Sequence, residues 1–264
     1  MQSAPKVFIT GASSGIGSAL ARQYAQQGAF LGLAARRGKQ LQALAETLTS
    51  AGATQVHCYP LDVADAAALR SAAEDFIARL GVPDIVIANA GVSVGTLTEC
   101  AEDLEVIKRI LEINVYGMAA TFSPFIAAMR QAAKDGKPGR LVGIASVAGI
   151  RGLPGAEAYS ASKAAAITYL ESLRLELRSS GIKVVTIAPG YIETPMTAIN
   201  PYRMPFLLPA DEAARRFARA IERGTSYTVI PWQMGVVARL LRLLPNALYD
   251  RLFANAPRKP RSTG

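Results

Sequence analysis

Cysteine and histidine are scarce in this sequence. Cys58 and Cys100 have no CxxC spacing, and His57 is the single histidine. A disulfide framework needs more cysteines, and a zinc site needs cysteines, histidines or carboxylates clustered at short spacings. We therefore predict neither a disulfide scaffold nor a metal site, and we interpret His57 as a packed or strand-end residue.

The sequence also lacks a long apolar run and an apolar leader. It has no stretch of about 18 apolar residues, the length that a membrane-spanning helix requires. The first five residues, MQSAP, lead directly into the first apolar segment, without the apolar core of a signal peptide. These absences favour a cytoplasmic location, either free or associated with a membrane surface.

Acidic residues are few in the last quarter of the chain. Residues 203–264 carry 11 lysines and arginines against 4 acidic residues, whereas residues 1–202 carry 18 against 16. This concentration of positive charge suits an anionic partner, such as lipid head groups or an acidic substrate. Nucleic acid is not expected, because no basic patch is interleaved with aromatic residues.

Apolar segments alternate with helical patterns through most of the chain. The segments read as continuous apolar strands, as in a parallel sheet that is covered on both faces. This rhythm predicts an α/β fold, with a single Rossmann-type doubly wound parallel sheet and helices on both faces. The predicted strands are 6–10, 30–35, 54–60, 84–88, 141–146, 183–188 and 227–230, and the predicted helices are 16–27, 37–50, 64–80, 101–132, 158–180 and 210–223.

The segment 189–209 interrupts this rhythm with five prolines and no clear period. A stretch of this length without regular structure is usually a lid or a binding loop. Its apolar side chains favour a hydrophobic substrate, although they could equally pack on the core. They are Met196, Ile199, Tyr202, Met204, Phe206 and Leu207.

We divide the chain into a main domain, 1–231, for which the motifs described next predict dinucleotide binding and catalysis, and an amphipathic basic C-terminal extension, 232–264. Apolar residues spaced by three and four predict an amphipathic helix from Trp232 to Phe253 that is broken at Pro245. The basic residues 258–261 are expected to form a frayed tail. The helix could lie in a membrane interface, or it could pack on the domain, the lid or a sister subunit.

The first predicted strand runs into a glycine-rich turn, GASSGIG at 11–17, and then into a helix. This layout presents backbone N–H groups and a helix N-terminus to a pyrophosphate. The spacing differs from the general G-x-G-x-x-G pattern, and glycines in such a turn can also serve its conformation alone. The segment therefore favours a nucleotide site without proving one.

Tyr159 and Lys163 are four residues apart in a predicted helix, so their side chains share one face. A neighbouring ammonium lowers the pKa of a phenol from its ordinary value of about 10, which would make Tyr159 a proton donor and acceptor near neutral pH. Ser146, at the end of the fifth predicted strand, could hold a substrate oxygen beside the tyrosine or merely cap a turn. The Tyr–Lys spacing alone is also common on solvated helices.

Taken in order over roughly residues 5–230, these motifs resemble the short-chain dehydrogenase/reductase family in its one-domain form. The resemblance implies a catalytic tetrad of Asn114, Ser146, Tyr159 and Lys163. It also implies contacts to a nicotinamide cofactor from the glycine turn, from the ends of the third and fourth strands, and from the segment that closes over the nicotinamide. These expected contacts are Gly11, Ser13, Ser14, Gly15, Ile16, Gly17, Asp62, Val63, Asn89, Ala90, Gly91, Tyr159, Lys163, Pro189, Gly190, Ile192 and Thr194.

The expected role of Asn114 comes from this resemblance, in which it anchors a water that relays protons to Lys163. Its other interpretation is a polar residue tied to a local backbone carbonyl. Tyr159 would donate a proton to a carbonyl oxygen, and Ser146 would hold that oxygen. Lys163 would lower the pKa of Tyr159 and hold the nicotinamide ribose.

Two arginines follow the second predicted strand, where NAD-selective domains usually place an acid for the ribose 2′-hydroxyl. Arg36 and Arg37 stand there without a competing carboxylate, and a guanidinium suits a 2′-phosphate. A solvated helix start would also explain them, but the preceding glycine turn makes us prefer NADP(H). The family resemblance implies Arg36 as the main contact, with Ser13 and Arg37 as helpers.

The sequence thus predicts an NADPH-dependent oxidoreductase that reduces a ketone or aldehyde to an alcohol. A lipophilic carbonyl substrate is expected, such as a long-chain ketone, a 3-oxoacyl group, a ketosphingoid base or a steroid. The alternatives are a non-catalytic NADP(H) sensor and a peripheral membrane interaction protein. The resemblance also implies a homo-oligomer, a dimer or tetramer, formed through helices 101–132 and 158–180.

Overall fold

The computed structural model describes residues 4–261, and within them seven strands form one parallel sheet. The strands are β1 (Lys6–Thr10), β2 (Phe30–Ala35), β3 (Gln55–Pro60), β4 (Ile85–Ala88), β5 (Arg140–Ile144), β6 (Lys183–Pro189) and β7 (Tyr227–Ile230). Their order across the sheet is β3-β2-β1-β4-β5-β6-β7. Residues 1–3 of the expected leaderless start and residues 262–264 of the predicted extension lie outside the described residues.

Helices connect the strands and cover both faces of the sheet. They are α1 (Gly15–Ala25), α2 (Gly38–Ser50), α3 (Ala66–Leu80), α4 (Asp103–Leu111), α5 (Gly117–Lys134), α6 (Glu157–Glu176), α7 (Pro195–Ala198), α8 (Ala210–Arg223), α9 (Trp232–Leu243) and α10 (Asn246–Phe253). The predicted doubly wound parallel sheet is therefore confirmed. Most predicted boundaries lie within two residues of the observed ones.

Two apolar clusters, one on each face, hold the helices to the sheet. Leu20 and Phe217, from α1 and α8, pack with Leu31 on one face. On the other face Phe8 meets Phe125 from α5, with ring centroids 5.0 Å apart. Burial of both faces explains why the strands are apolar throughout instead of alternating.

The topology creates a crevice at one edge of the sheet. The strand order reverses between β1 and β4, so the loops after these two strands diverge to opposite faces. In sheets of this kind, ligands bind beyond the carboxyl ends of the strands at such a reversal. The glycine turn follows β1, and Asn89 to Gly91 follow β4, so the fold brings these two motifs together.

A π-helical segment, Glu112–Tyr116, joins α4 to α5 in one continuous helical run. The periodicity predicted an ordinary helix here, whereas π-turns recur at functional sites because they reorient a side chain. The run Asp103–Lys134 is also long and apolar enough, by length and composition, to cross a membrane, which the sequence analysis did not predict. Half of its apolar window is buried, with Phe122 and Met129 in the core, so packing accounts for its apolar character.

The segment 189–209, predicted as a lid or a binding loop, folds back on itself. An isolated bridge joins Ile192 to Leu208, and the short helix α7 lies between them. Phe206 has a φ of +58°, a left-handed conformation that a bulky side chain rarely adopts. Its side chain is exposed, as are those of Met196 and Ile199. The loop thus presents apolar groups to solvent beside the crevice.

The C-terminal extension forms α9 and α10, and it breaks at Pro245 as the sequence predicted. The expectation of a frayed tail after it is wrong. Lys259 Nζ donates to Ser93 Oγ at 2.9 Å, and the Gly95 N–H donates to Pro260 O at 3.0 Å. Arg261 forms an ion pair with Asp103, whose carboxylate is buried. The basic tail is held because it supplies the partner that this buried acid requires.

Candidate active site

A cavity of 330 Å³ opens at the crevice beyond the carboxyl ends of the strands. It is lined by every residue that the sequence analysis assigned to the tetrad or to the cofactor, with two exceptions. Gly17 packs closely against Gly11 and Asn89 behind the wall of the cavity, and Asn114 binds the lining residue Val92 from behind. The sequence motifs, which span more than 180 residues, therefore converge on one site.

The glycine turn is shaped to let a ligand approach its backbone. Gly11 and Gly15 have φ values of +65° and +57°, which favour glycine, and a Cβ on Gly17 would collide with the carbonyl of Gly11. Asn89 Nδ2 ties the turn to the end of β4 by donating to Thr10 O at 3.0 Å and to Gly11 O at 3.2 Å.

The N-terminus of α1 points its first N–H groups at this turn. Ser14 occupies the N-cap position, yet its side chain forms no capping hydrogen bond. The first N–H groups of the helix thus have no side-chain acceptor, and an anionic group such as a pyrophosphate would satisfy them. This open N-terminus fits a dinucleotide, which the residues of the turn would hold through backbone N–H groups.

Arg36 and Arg37 stand at the end of β2 and are both exposed on the rim of the cavity. The guanidinium of Arg37 donates to Ser13 Oγ at 2.9 Å and to Ser14 Oγ at 2.7 Å. Arg37 therefore stabilises the glycine turn, and Arg36 is the arginine of the two with fewer hydrogen bonds to protein groups. Together with Ser13 they form a cationic corner that could accept a phosphate.

Asp62 follows β3, the strand next to β2, and it is bound by an arginine that the sequence did not point to. Arg109 of α4 donates to Asp62 Oδ2, and the Ala64 N–H donates to Asp62 Oδ1 at 3.0 Å. Partial burial acts to raise the pKa of Asp62, but these two bonds and the charges of Arg109 and Arg36 together lower it below its ordinary value. Asp62 is thus an anion fixed in place.

Tyr159 and Ser146 meet inside the cavity. Ser146 lies two residues beyond β5, not at the strand end as predicted, and it caps a turn of 3-10 helix by accepting from the Ala148 N–H at 3.1 Å. The capping interpretation of this serine is therefore confirmed, and its contact to a substrate oxygen stays a prediction. Burial raises the pKa of Tyr159, and a hydrogen bond with the Ser146 side chain acts in the opposite direction.

Lys163 is buried one turn along α6, and its Nζ donates to Ile144 O at 2.8 Å. Its amine lies 5.9 Å from the centre of the Tyr159 ring. Burial lowers the pKa of Lys163 to about 8. Burial dominates at both residues and moves the pKa of each towards the neutral form of the group, and the lowering of the Tyr159 pKa by Lys163 stays a prediction.

Asn114 joins two walls of the cavity from within the π-helical segment. Its Oδ1 accepts from the Val92 N–H at 2.8 Å, and its Nδ2 donates to Val92 O at 3.0 Å and to Ser162 Oγ at 2.9 Å. Ser162 in turn donates to Tyr159 O at 2.7 Å. The alternative of a local backbone partner is therefore wrong, since Val92 is 22 residues away. Asn114 fixes the loop after β4 against the helix that carries Tyr159.

Among the described residues, Ser162, Arg109, Arg151 and Thr197 are polar groups in or near the site that sequence reasoning missed, and Thr197 lines the cavity. Ser162 was visible between Tyr159 and Lys163, and its spacing alone could have suggested a role. Arg109 and Arg151 gave no such signal, because their partners are 47 and at least 90 residues away in the sequence. Only the folded chain brings these groups together.

Comparison with known proteins identifies the family. The model for short chain dehydrogenases matches residues 5–202. An uncharacterized oxidoreductase from Myxococcus xanthus (strain DK1622) is 42% identical over 243 residues, which cover 92% of this chain and 94% of that protein. An 11-beta-hydroxysteroid dehydrogenase-like 3 protein from Arabidopsis thaliana is 36% identical over 230 residues, which cover 85% of this chain and 72% of that protein.

A solved structure of a short chain dehydrogenase/reductase has the same fold as this chain. A short chain dehydrogenase/reductase from Burkholderia phymatum, in complex with NAD, superposes with a TM-score of 0.81 at 25% identity and with 98% of both chains covered. The strand order, the cavity at the sheet reversal and the extent of the family match all agree. The chain belongs to the short-chain dehydrogenase/reductase family of oxidoreductases.

Proposed function

We propose that the protein is an NADPH-dependent reductase that converts a lipophilic ketone or aldehyde into an alcohol. The observation that carries this proposal is the convergence of Tyr159, Ser146 and Lys163 with the glycine turn in one cavity. When bound, the nicotinamide cofactor would supply the hydride, while the protein supplies position and protons.

Tyr159 would act as the general acid. Because burial raises its pKa, the phenol stays protonated through the neutral range, as a donor to a carbonyl oxygen requires. The reverse reaction would need the phenolate, which burial disfavours.

Ser146 would orient the substrate oxygen. Its Oγ already accepts from the Ala148 N–H, and its hydroxyl proton can be donated to an oxygen in the cavity. Lys163 would hold the cofactor ribose and pass protons between Tyr159 and the interior. Asn114 would hold the loop after β4 through its bond to Val92, and it would position Tyr159 through its bond to Ser162.

The choice of NADPH rests on Arg36 and Arg37. No carboxylate accompanies them at the end of β2, and both line the cavity. The solved relative from Burkholderia phymatum binds NAD, so the cofactor must be settled for this chain by measurement. A lipophilic substrate is supported by the exposed apolar side chains of the loop 189–209 and by the hydroxysteroid dehydrogenase-like name of one relative.

Replacing Tyr159 by phenylalanine tests the proposal. General acid catalysis contributes about 10²- to 10⁴-fold, so Tyr159→Phe should lower kcat by that factor on a graded series of ketones while NADPH still binds. Tyr169→Phe, ten residues along the same helix and outside the cavity, is the matched control. Near-normal turnover in Tyr159→Phe would reject the proposed general acid. Binding of NADPH by the unaltered protein without turnover of any ketone would favour a cofactor sensor.

Cofactor selection is tested separately by Arg36→Asp. A carboxylate there would repel a 2′-phosphate and could accept a bond from a ribose 2′-hydroxyl. We expect kcat/KM with NADPH to fall by at least about tenfold while kcat/KM with NADH is maintained or rises. An unchanged ratio between the two cofactors would remove Arg36 from the cofactor site.

A further inference from the structure

Helix α9 carries apolar side chains on two opposite sides. Met234 and Ala238 are buried against the domain, and Met234 packs on Gly190, where an added Cβ would lie 2.6 Å from Met234 Cγ. The outer stripe, which we define as Trp232, Val236, Leu240 and Leu243, faces away from the domain. A helix on the surface of a soluble domain normally has a polar outer face, so the outer stripe requires a partner of its own.

The exposure of the outer stripe is large. Trp232 is 68% exposed, Leu240 is 60% exposed and Leu243 is 80% exposed. Positions 232, 236, 240 and 243 fall on one face of a helix with 3.6 residues per turn. Contiguous apolar surface of this kind marks an interaction site more often than isolated exposed leucines do.

Helix α10 repeats the arrangement. Tyr249 faces inward, and its hydroxyl donates to Gly152 O at 2.6 Å. Leu248 and Leu252 are exposed on the outside, one turn apart. The inward contacts of both helices are thus satisfied by the domain, while the apolar groups outside are not needed to hold the extension in place.

The charge around these apolar groups has one sign. Arg239 and Arg242 are exposed beside the outer stripe, and Arg251 is exposed between Leu248 and Leu252. Asp250 is the single acidic residue among the positions 232–261. A helix that combines arginines with tryptophan and leucine on its outer surface has the composition of an interfacial helix.

We propose that the outer stripe and its arginines dock this protein on the surface of an anionic lipid bilayer. A second copy of the chain is a poorer occupant, because a twofold interface would bring Arg239 and Arg242 close to their own copies. A bilayer with anionic head groups accepts both the arginines and the apolar side chains, and tryptophan favours the boundary between the two. Since Met234 contacts Gly190 of the cavity wall, the docked helix would lie beside the cavity.

Trp232 supplies a specific probe, since it is the single tryptophan of the chain. Vesicles of phosphatidylcholine with and without phosphatidylglycerol are titrated into the full-length protein while tryptophan emission and co-sedimentation are recorded. With the anionic vesicles we expect the emission to move to shorter wavelength and the protein to sediment. We expect both effects to weaken as salt rises from 0.01 M to 0.15 M, where the Debye length shortens from about 30 Å to about 8 Å.

Four variants separate the two contributions. Leu240→Ser/Leu243→Ser removes apolar surface without changing charge, and Leu175→Ser, at a leucine of α6 that is as exposed as Leu240 (60%), is its control. Arg239→Gln/Arg242→Gln removes charge, and Arg70→Gln, at an exposed position of α3, is its control. We expect each double variant to lower the vesicle partition coefficient roughly tenfold or more, and each control to leave it unchanged.

Three results would overturn the proposal. The first is an absence of sedimentation and of any emission shift at low salt. The second is binding that is equal on neutral vesicles or unaffected by Leu240→Ser/Leu243→Ser. The third is an oligomer of the unaltered protein on size-exclusion chromatography that Leu240→Ser/Leu243→Ser dissociates, because a second copy would then cover the outer stripe. None of these measurements depends on turnover, so they stand apart from the proposed reductase activity.

Discussion

Lys163 is a buried lysine whose amine donates to the carbonyl of Ile144. Burial lowers its pKa from 10.5 to about 8. Below about pH 8 the amine is charged in both the folded and the unfolded chain, so the folded protein bears the whole cost of desolvating the ammonium. Between about pH 8 and 10.5 the folded chain has released a proton that the unfolded chain still holds, so the free energy of unfolding rises with pH.

Lys163→Met should remove this rise. The free energy of unfolding of the variant minus that of the unaltered protein should fall as pH increases from 7 to 9.5, by at most about 1.4 kcal/mol per pH unit. Urea denaturation of the cofactor-free protein at several pH values measures it. The lost bond to Ile144 adds an offset that does not vary with pH.

Lys134→Met, at an exposed position in the last turn of α5, controls for the loss of a cation in general. A difference for Lys163→Met that stays constant between pH 7 and 9.5 would contradict the assigned titration. The same variant should lose reductase activity, because Lys163 lines the cavity.

Among the helices and loops, the C-terminal extension is fastened to the segment that leads to Tyr159. Arg151 donates to Leu241 O at 2.8 Å and to Leu244 O at 2.9 Å, which satisfies the last carbonyls of α9. Its guanidinium also stacks 4.0 Å from the centre of the Tyr249 ring. One side chain between Ser146 and Tyr159 therefore positions both helices of the extension.

Arg151→Ala should loosen the extension as a unit. The loss of charge-assisted hydrogen bonds to carbonyls should lower the free energy of unfolding by on the order of 2 kcal/mol. Amide hydrogen exchange should accelerate across 232–253, and kcat should fall because the segment before α6 is released. Arg151→Lys should recover little, since an ammonium cannot reproduce the planar fork of contacts.

Arg242→Ala provides the comparison for that experiment, because Arg242 lies on the same helix and its side chain is exposed. Unchanged exchange across 232–253 in Arg151→Ala would show that α9 and α10 are held by their buried side chains alone. Met234 and Tyr249 would then be the residues to replace next.

Across the whole molecule, what could be predicted from sequence depended on how local the signal was. The alternation of apolar strands and helices predicts the sheet. The geometry of the two short motifs, Gly11 to Gly17 and Tyr159 to Lys163, follows from the spacing of their residues. The π-helical segment at Asn114 could not be predicted, because its side chain satisfies Val92 and Ser162 from other elements. The pKa directions of Tyr159 and Lys163 also required the folded chain, since burial decides them.

The tail was the largest error, and its cause is a contact between residues far apart in the sequence. Arg261 Nε donates to Asp103 Oδ2 at 2.8 Å and Arg261 Nη2 donates to Asp103 Oδ1 at 3.1 Å, across 158 residues. A basic run at the end of a chain looks solvated until the buried acid that it pairs with is known. Arg261 thereby ties the tail to the start of α4. The loop after β4 is bound to the same tail, because the Gly95 N–H donates to Pro260 O.

Arg261→Ala tests this closure of the molecule. The hydrogen bonds from Arg261, with that from the Leu97 N–H, hold the pKa of Asp103 below its ordinary value of 3.8. An acid with a lowered pKa contributes stability above that ordinary value and loses it as pH falls through the folded pKa. Arg261→Ala should therefore lower Tm at pH 7, and the difference in Tm from the unaltered protein should become smaller as pH falls from 5 to 3.

Arg251→Ala, at an exposed arginine of α10, is the control and should leave Tm unchanged at every pH. If Arg261→Ala matched that control at pH 7, the tail would contribute nothing to the fold, and Asp103 would have to be stabilised by the Leu97 N–H alone.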